Sequence, residues 1–207
     1  MPGPHDAIIA HAAKGALYPL GFRRKGRSRL WLLDRDWWLA VVEFQPSGWA
    51  KGSYLNVAAH WLWSDHGFLS FDVSNRVDGF SEYASDAQFA SAAADLAETA
   101  AIEATRLTKR FSSIDATAAD LVAAEAAAEP SVGSWSRYNA GVAAGIVGRS
   151  AEAAALLSGV TDERVKPSAD TMTLLANDPG SFQKKAIDLI TRQRLALGLP
   201  VTEGIRF

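Results

Sequence analysis

The chain has no cysteine in its 207 residues. That excludes disulfides, thiol nucleophiles, iron–sulfur clusters and thiolate zinc sites together. It also has no run approaching the ~18 apolar residues that a membrane-spanning helix needs. The start, Met1-Pro2-Gly3-Pro4-His5-Asp6, lacks the basic and apolar regions of a secretory signal, which predicts a cytoplasmic location. No charge of one sign dominates: 21 basic against 23 acidic residues give a formal net charge of −2. This balance argues against a nucleic-acid partner and against a polybasic membrane anchor. The Gly-x-Ser-x-Gly elbow, the phosphate-binding P-loop, the dinucleotide glycine pattern and the His-Glu-x-x-His zinc helix are all absent. The expectation is therefore no cofactor, no metal and no catalytic residue.

What is present is unevenly distributed. Six of the seven Trp lie between Trp31 and Trp63, whereas 18 of the 46 residues from Ala84 to Glu129 are Ala. Aromatic residues favour strands and Ala favours helices. The fold class predicted is α+β: a helix and an antiparallel sheet of about four strands over residues 1–83, then a helical region over 84–207. With no long Gly/Ser/Pro linker between them, the expectation is one compact unit.

The first helix is predicted from Asp6 to Tyr18, with Pro19 and Gly21 stopping it. Strands follow at Ser28 to Leu33, Trp37 to Gln45, Ser53 to Trp63 and Phe68 to Val73, on short loops that imply a meander. Beyond Ser85, which with Gln88 fits a capping box, the expected helices are capped by Asp115, Ser134, Ser150 and Asp178. A short helix is also expected over Ser168 to Asn177. Gly141, Ala144, Gly148, Ala153, Leu157 and Val160 resemble one tetratricopeptide unit. There is no second copy, and solenoids need about three, so a tight helical hairpin is the simpler reading.

Period-2 alternation sorts the central hairpin. Trp38, Ala40, Val42 and Phe44, with Leu55, Val57, Ala59, Trp61 and Trp63, form a wholly apolar face. The reverse face mixes Trp37, Leu39, Val41, Glu43 and Gln45 with Tyr54, Asn56, Ala58, His60 and Leu62. Gln45 is expected opposite Tyr54, and Glu43 opposite Asn56. Arg29 and Trp31 are expected to join this mixed face. Aromatic walls with a few converging polar groups suit a ligand. The candidate ligand-binding residues are Arg24, Trp31, Glu43, Gln45, Tyr54, Asn56 and His60.

Leu20-Gly21-Phe22-Arg23-Arg24-Lys25-Gly26, Val42-Glu43-Phe44-Gln45-Pro46-Ser47 and Tyr54-Leu55-Asn56-Val57 resemble an uncharacterised, mainly bacterial family of domains of unknown function (the one numbered four-three-zero-four). The resemblance covers about Leu17 to Trp63. It departs at Ala58-Ala59-His60, where the family has a glycine. It implies a fold and a candidate region but no reaction.

The leading expectation is a non-enzymatic binding or protein-interaction module taking a small molecule or protein partner on the mixed face. The alternative is a small hydrolase or transferase using Glu43 and His60 as an acid/base pair. His60, Asp65 and His66 also cluster in sequence, but strand geometry separates the two imidazoles unless the turn folds back.

Overall fold

The computed structural model describes residues 4–64, 66–128, 134–202 and 204–207. Helix α1 (Pro4–Leu17) runs into a 3-10 turn, Tyr18–Leu20, and ends on Gly21 in the left-handed region at φ 92°. Asp6 lies within the first turn of α1 and binds Arg29, which also donates to Gly52 O at 3.0 Å.

Five strands follow: β1 (Arg23–Arg24), β2 (Leu30–Asp34), β3 (Trp38–Gln45), β4 (Gly52–Trp61) and β5 (Val73–Glu82). They form an antiparallel meander in the order β1-β2-β3-β4-β5. The fold is α+β, as the composition required. The last strand is displaced from its expected place. Phe68 to Asp72 stays irregular, with Phe68 60% exposed, and the strand begins at Val73. Val73–Glu82 is too polar to announce itself, and it forms because β4 offers it a ladder; strand preference is mostly context. The ladder is uneven. Its register shifts between Ser53 and Leu55 and again between Leu55 and Asn56.

Gly52 opens β4 at φ 147°, where a Cβ would stand 2.2 Å from Ser81 O. Only glycine fits so close to another backbone. The tight connection at Asp34-Arg35-Asp36 places Asp36 at φ 62°, a conformation Asp tolerates, with its N–H on Asp34 Oδ1 at 3.0 Å.

The helices are α2 (Asp86–Arg110), α3 (Ile114–Ala127), α4 (Ser134–Ile146), α5 (Ser150–Ser158), α6 (Lys166–Leu175) and α7 (Pro179–Ala196). Ser85 accepts from Gln88 N, and the Gln88 carbonyl accepts from Ala84 N, so the box closes one residue early. Helix α3 is capped by Ser113, not by Asp115, which sits in its first turn. The Ser113 hydroxyl is better placed because it lies just outside the first turn with extended backbone. Asp178 caps α7 as expected. Pro130, a residue type that ends helices because it has no backbone N–H, lies outside the described residues.

The chain divides into two units: Met1–His60 with Val73–Lys109, and Trp61–Asp72 with Arg110–Phe207. The division falls after Lys109, where the composition change had suggested 84. In the first unit His5, Tyr83 and Phe89 form an aromatic cluster, with Tyr83 and Phe89 edge to face at 5.4 Å. Phe89, Ala93, Leu96 and Ala100 are the buried stripe of α2. In the second unit α4 and α5 make the tight hairpin: a Cβ on Gly141 would reach 2.7 Å from Leu157 Cγ. Gly145 similarly lies under the Phe182 ring of α7. Among the described residues no helix is long and apolar enough to cross a membrane.

Candidate functional site

The site begins with strand alternation. Trp38, Ala40, Val42, Phe44, Leu55, Val57 and Ala59 are all buried. The reverse side of β3 and β4 is graded. Leu39, Val41, Ala58 and His60 are fully buried, while Glu43, Gln45 and Tyr54 are half-buried. The open end is therefore where the polar side chains stand.

There, Asn56 holds the cluster. Its amide nitrogen donates to Glu43 Oε2 at 2.9 Å and to Gln45 Oε1 at 3.0 Å. Asn56 is paired with Arg76 of β5. The Arg76 guanidinium donates to Gln45 Oε1 at 2.9 Å through Nη2 and reaches Asn56 Oδ1 at 3.5 Å through Nε. Its carbon lies 4.4 Å from the centre of the Tyr54 ring, within cation–π range. Phe80 supports Tyr54 with ring centres 5.0 Å apart. Three strands thus place one carboxylate, two amides, one phenol and one exposed guanidinium on one surface.

Four of the seven expected residues meet here: Glu43, Gln45, Tyr54 and Asn56. Trp31 does not. It pairs with Val42 and is buried, so it belongs to the apolar face and not to the mixed one. The reason is register. Residues directly opposite in a ladder share a face, and the connection at Asp34 to Asp36 sets Leu33 against Ala40. Arg24 pairs with Trp31 and donates to Ser28 O at 2.6 Å and Arg27 O at 2.9 Å, closing its own turn. Arg29 goes to Asp6. His60 keeps its parity on β4 but lies four residues beyond Asn56, roughly 13 Å at ~3.3 Å per residue. Since Glu43 is bound to Asn56, the structure does not assemble the expected Glu43–His60 acid/base pair.

Arg76 was missed by sequence reading. It lies in a polar stretch with no clear period, and it faces Asn56 only because the β4–β5 register shifts just before that pair. No motif announces a bulge in so polar a strand.

A second cluster lies where β4 hands the chain to the loop Trp61–Asp72. Ser70 Oγ donates to Asp72 Oδ1 at 2.8 Å and stands 3.3 Å from His66 Nε2. Trp61 N donates to Asp72 Oδ2 at 2.8 Å. The His66 ring stacks on Phe68 at 4.1 Å and meets Trp135 edge to face at 5.3 Å. Asp65 lies outside the described residues. Ser70 and Asp72 were placed in a strand by sequence reading, so their part in this cluster was not anticipated.

No family model, curated protein or solved structure matches the chain.

Proposed function

We propose that the protein is a non-enzymatic binding module that takes a carboxylate-bearing partner, an acidic peptide segment, on the open end of the mixed sheet face. The observation that supports this is Arg76. Its guanidinium is exposed, yet its orientation is fixed by Gln45, Asn56 and the Tyr54 ring. A planar fork held in place loses little freedom on binding and suits a carboxylate. The amides around it carry no titratable proton, so they position without reacting. A cytoplasmic, bacterial-type protein fits this reading. So does the resemblance of residues 17–63 to the uncharacterised family, because the quoted Gln45 and Asn56 are the two amides that orient Arg76.

The test is fluorescence anisotropy with a labelled Glu-rich peptide and the same peptide carrying Gln in place of Glu. Wild type is expected to bind the acidic peptide preferentially. Arg76→Gln should lose at least about tenfold, the effect of ~1.4 kcal/mol. Arg23→Gln, which changes an arginine stacked on Tyr18 instead, should bind as wild type does. Equal binding of both peptides, or no loss in Arg76→Gln, overturns the proposal.

A further inference from the structure

We propose that a cavity within the second unit binds a single neutral nucleobase of the oxo type, one that carries a ring N–H next to a C=O. The cavity has a volume of about 280 Å³ and lies between the loop Trp61–Asp72 and α4. Its lining includes His66, Phe68, Phe71, Asp72, Trp135 and Asn139, all of that unit. Such a volume is at the small end of ligand pockets, which suits one flat ring system and excludes larger ligands.

Asn139 decides the chemistry. It is 2% exposed, and its side chain accepts from Trp63 Nε1 at 2.9 Å and from Ser64 Oγ at 3.3 Å. An indole N–H only donates, so the atom facing it is the amide oxygen. The amide nitrogen is left with two protons and no acceptor among the described residues. A buried donor of this kind calls for an acceptor on a ligand. Asp72 has the opposite character. Ser70 Oγ and Trp61 N each donate to one of its oxygens and so orient the carboxylate. A carboxylate has about four acceptor positions and can take a ligand N–H beside such donors. A bare cation would suit Asp72 but meet the Asn139 protons, and an anion would be repelled by Asp72. A neutral molecule with both a donor and an acceptor on its edge satisfies the two together.

The walls narrow the class further. His66 stacks on Phe68 with ring centres 4.1 Å apart, and Trp135 meets His66 edge to face at 5.3 Å. Gln193 of α7 ties this loop down, accepting from Gly67 N at 2.9 Å and donating to Phe68 O at 3.1 Å. A sugar of similar size would bring several hydroxyls, and aromatic walls leave hydroxyls without partners. A base brings two π faces for stacking and one polar edge for hydrogen bonds, the same division that this lining has.

Full-length protein is titrated by isothermal calorimetry with uracil, with hypoxanthine and with their fully N-methylated forms, which keep the carbonyls but carry no N–H. The expected result is saturable one-to-one binding of at least one base, with its N-methylated form weaker by at least about tenfold. That comparison is made on unaltered protein and does not depend on any variant folding. Asp72→Asn, which puts amide protons where acceptors stood, should also weaken binding by at least about tenfold. Trp135→Ala should weaken it by roughly 5- to 150-fold, the range for a base stacked on an aromatic side chain. Trp49→Ala, which changes a fully exposed Trp of the first unit, should leave it unchanged. Circular dichroism confirms that each variant is folded. Failure of both bases to bind, equal binding of a base and its N-methylated form, or full affinity in folded Trp135→Ala overturns the proposal. So does tighter binding of tetramethylammonium or glucose than of both bases.

Discussion

The sheet unit and the helical unit hold their polar side chains in different ways. In the sheet unit Glu43, Gln45, Asn56 and Arg76 come from three strands and share one network. Among the described residues of the helical unit, several polar groups serve one helix end or one short loop. Ser113 caps α3, Asp178 caps α7, and Asp162 holds the nearby Arg164. Glu125 reaches further: it is nearly buried and takes Arg137 Nε at 2.7 Å and Ser136 Oγ at 3.1 Å across the α3–α4 pair. The contrast teaches where damage should spread. A register-built network fails as a whole when one strand shifts, whereas a local cap fails alone.

The strongest way to break the sheet side is Gly52→Ala. The added carbon would meet Ser81 O and Phe80 in a conformation that disfavours side chains. Strain and overpacking together should cost about 3 kcal/mol in chemical denaturation. If the network depends on this register, binding through Arg76 should fall as well. A variant as stable as wild type would show that β4 can begin elsewhere.

Next in size is Asn56→Ala, which removes the donor shared by Glu43 and Gln45. A loss of about 2 kcal/mol is expected, within the range for leaving half-buried acceptors unsatisfied. In a double-mutant cycle with Arg76→Gln the effects should be non-additive, since the two residues belong to one network. Strict additivity would reduce the cluster to separate pairs.

On the helical side Ser113→Ala should cost about 1 kcal/mol, the usual loss of an N-cap. Hydrogen exchange should rise at the start of α3 and not along β3 or β4. Protection lost in the sheet would erase the contrast.

The smallest effect expected is in acid. Hydrogen bonds from the Arg164 side chain and backbone hold the Asp162 carboxyl down at about 2, and the Ser181 hydroxyl and N–H lower that of Asp178. A depressed carboxyl stabilises the fold above its unfolded value, about 3.9, and that contribution is lost as pH falls through the folded value. Asp162→Asn should therefore narrow the difference in melting temperature between neutral and strongly acidic buffer. An unchanged difference would show that the pair contributes nothing.

Much of the sheet was readable because a strand's period of two leaves little choice. Once Phe44 and Val57 were assigned inward, Glu43, Gln45, Tyr54 and Asn56 had to share the other side. Trp31 was misplaced because parity within a strand does not say which residue of the neighbouring strand stands opposite. The last strand and Arg76 were illegible for a different reason: Val73–Glu82 has neither apolar alternation nor aromatic density.

By itself the sequence determined the α+β class, the apolar face of the central hairpin and most helix boundaries, because periodicity, caps and glycine stops act over a few residues. Tertiary structure alone decided the shift that sets Arg76 against Asn56. It depends on where the backbone of β5 finds its partners on β4. That choice is made by hydrogen bonds between distant segments, and no local pattern encodes it.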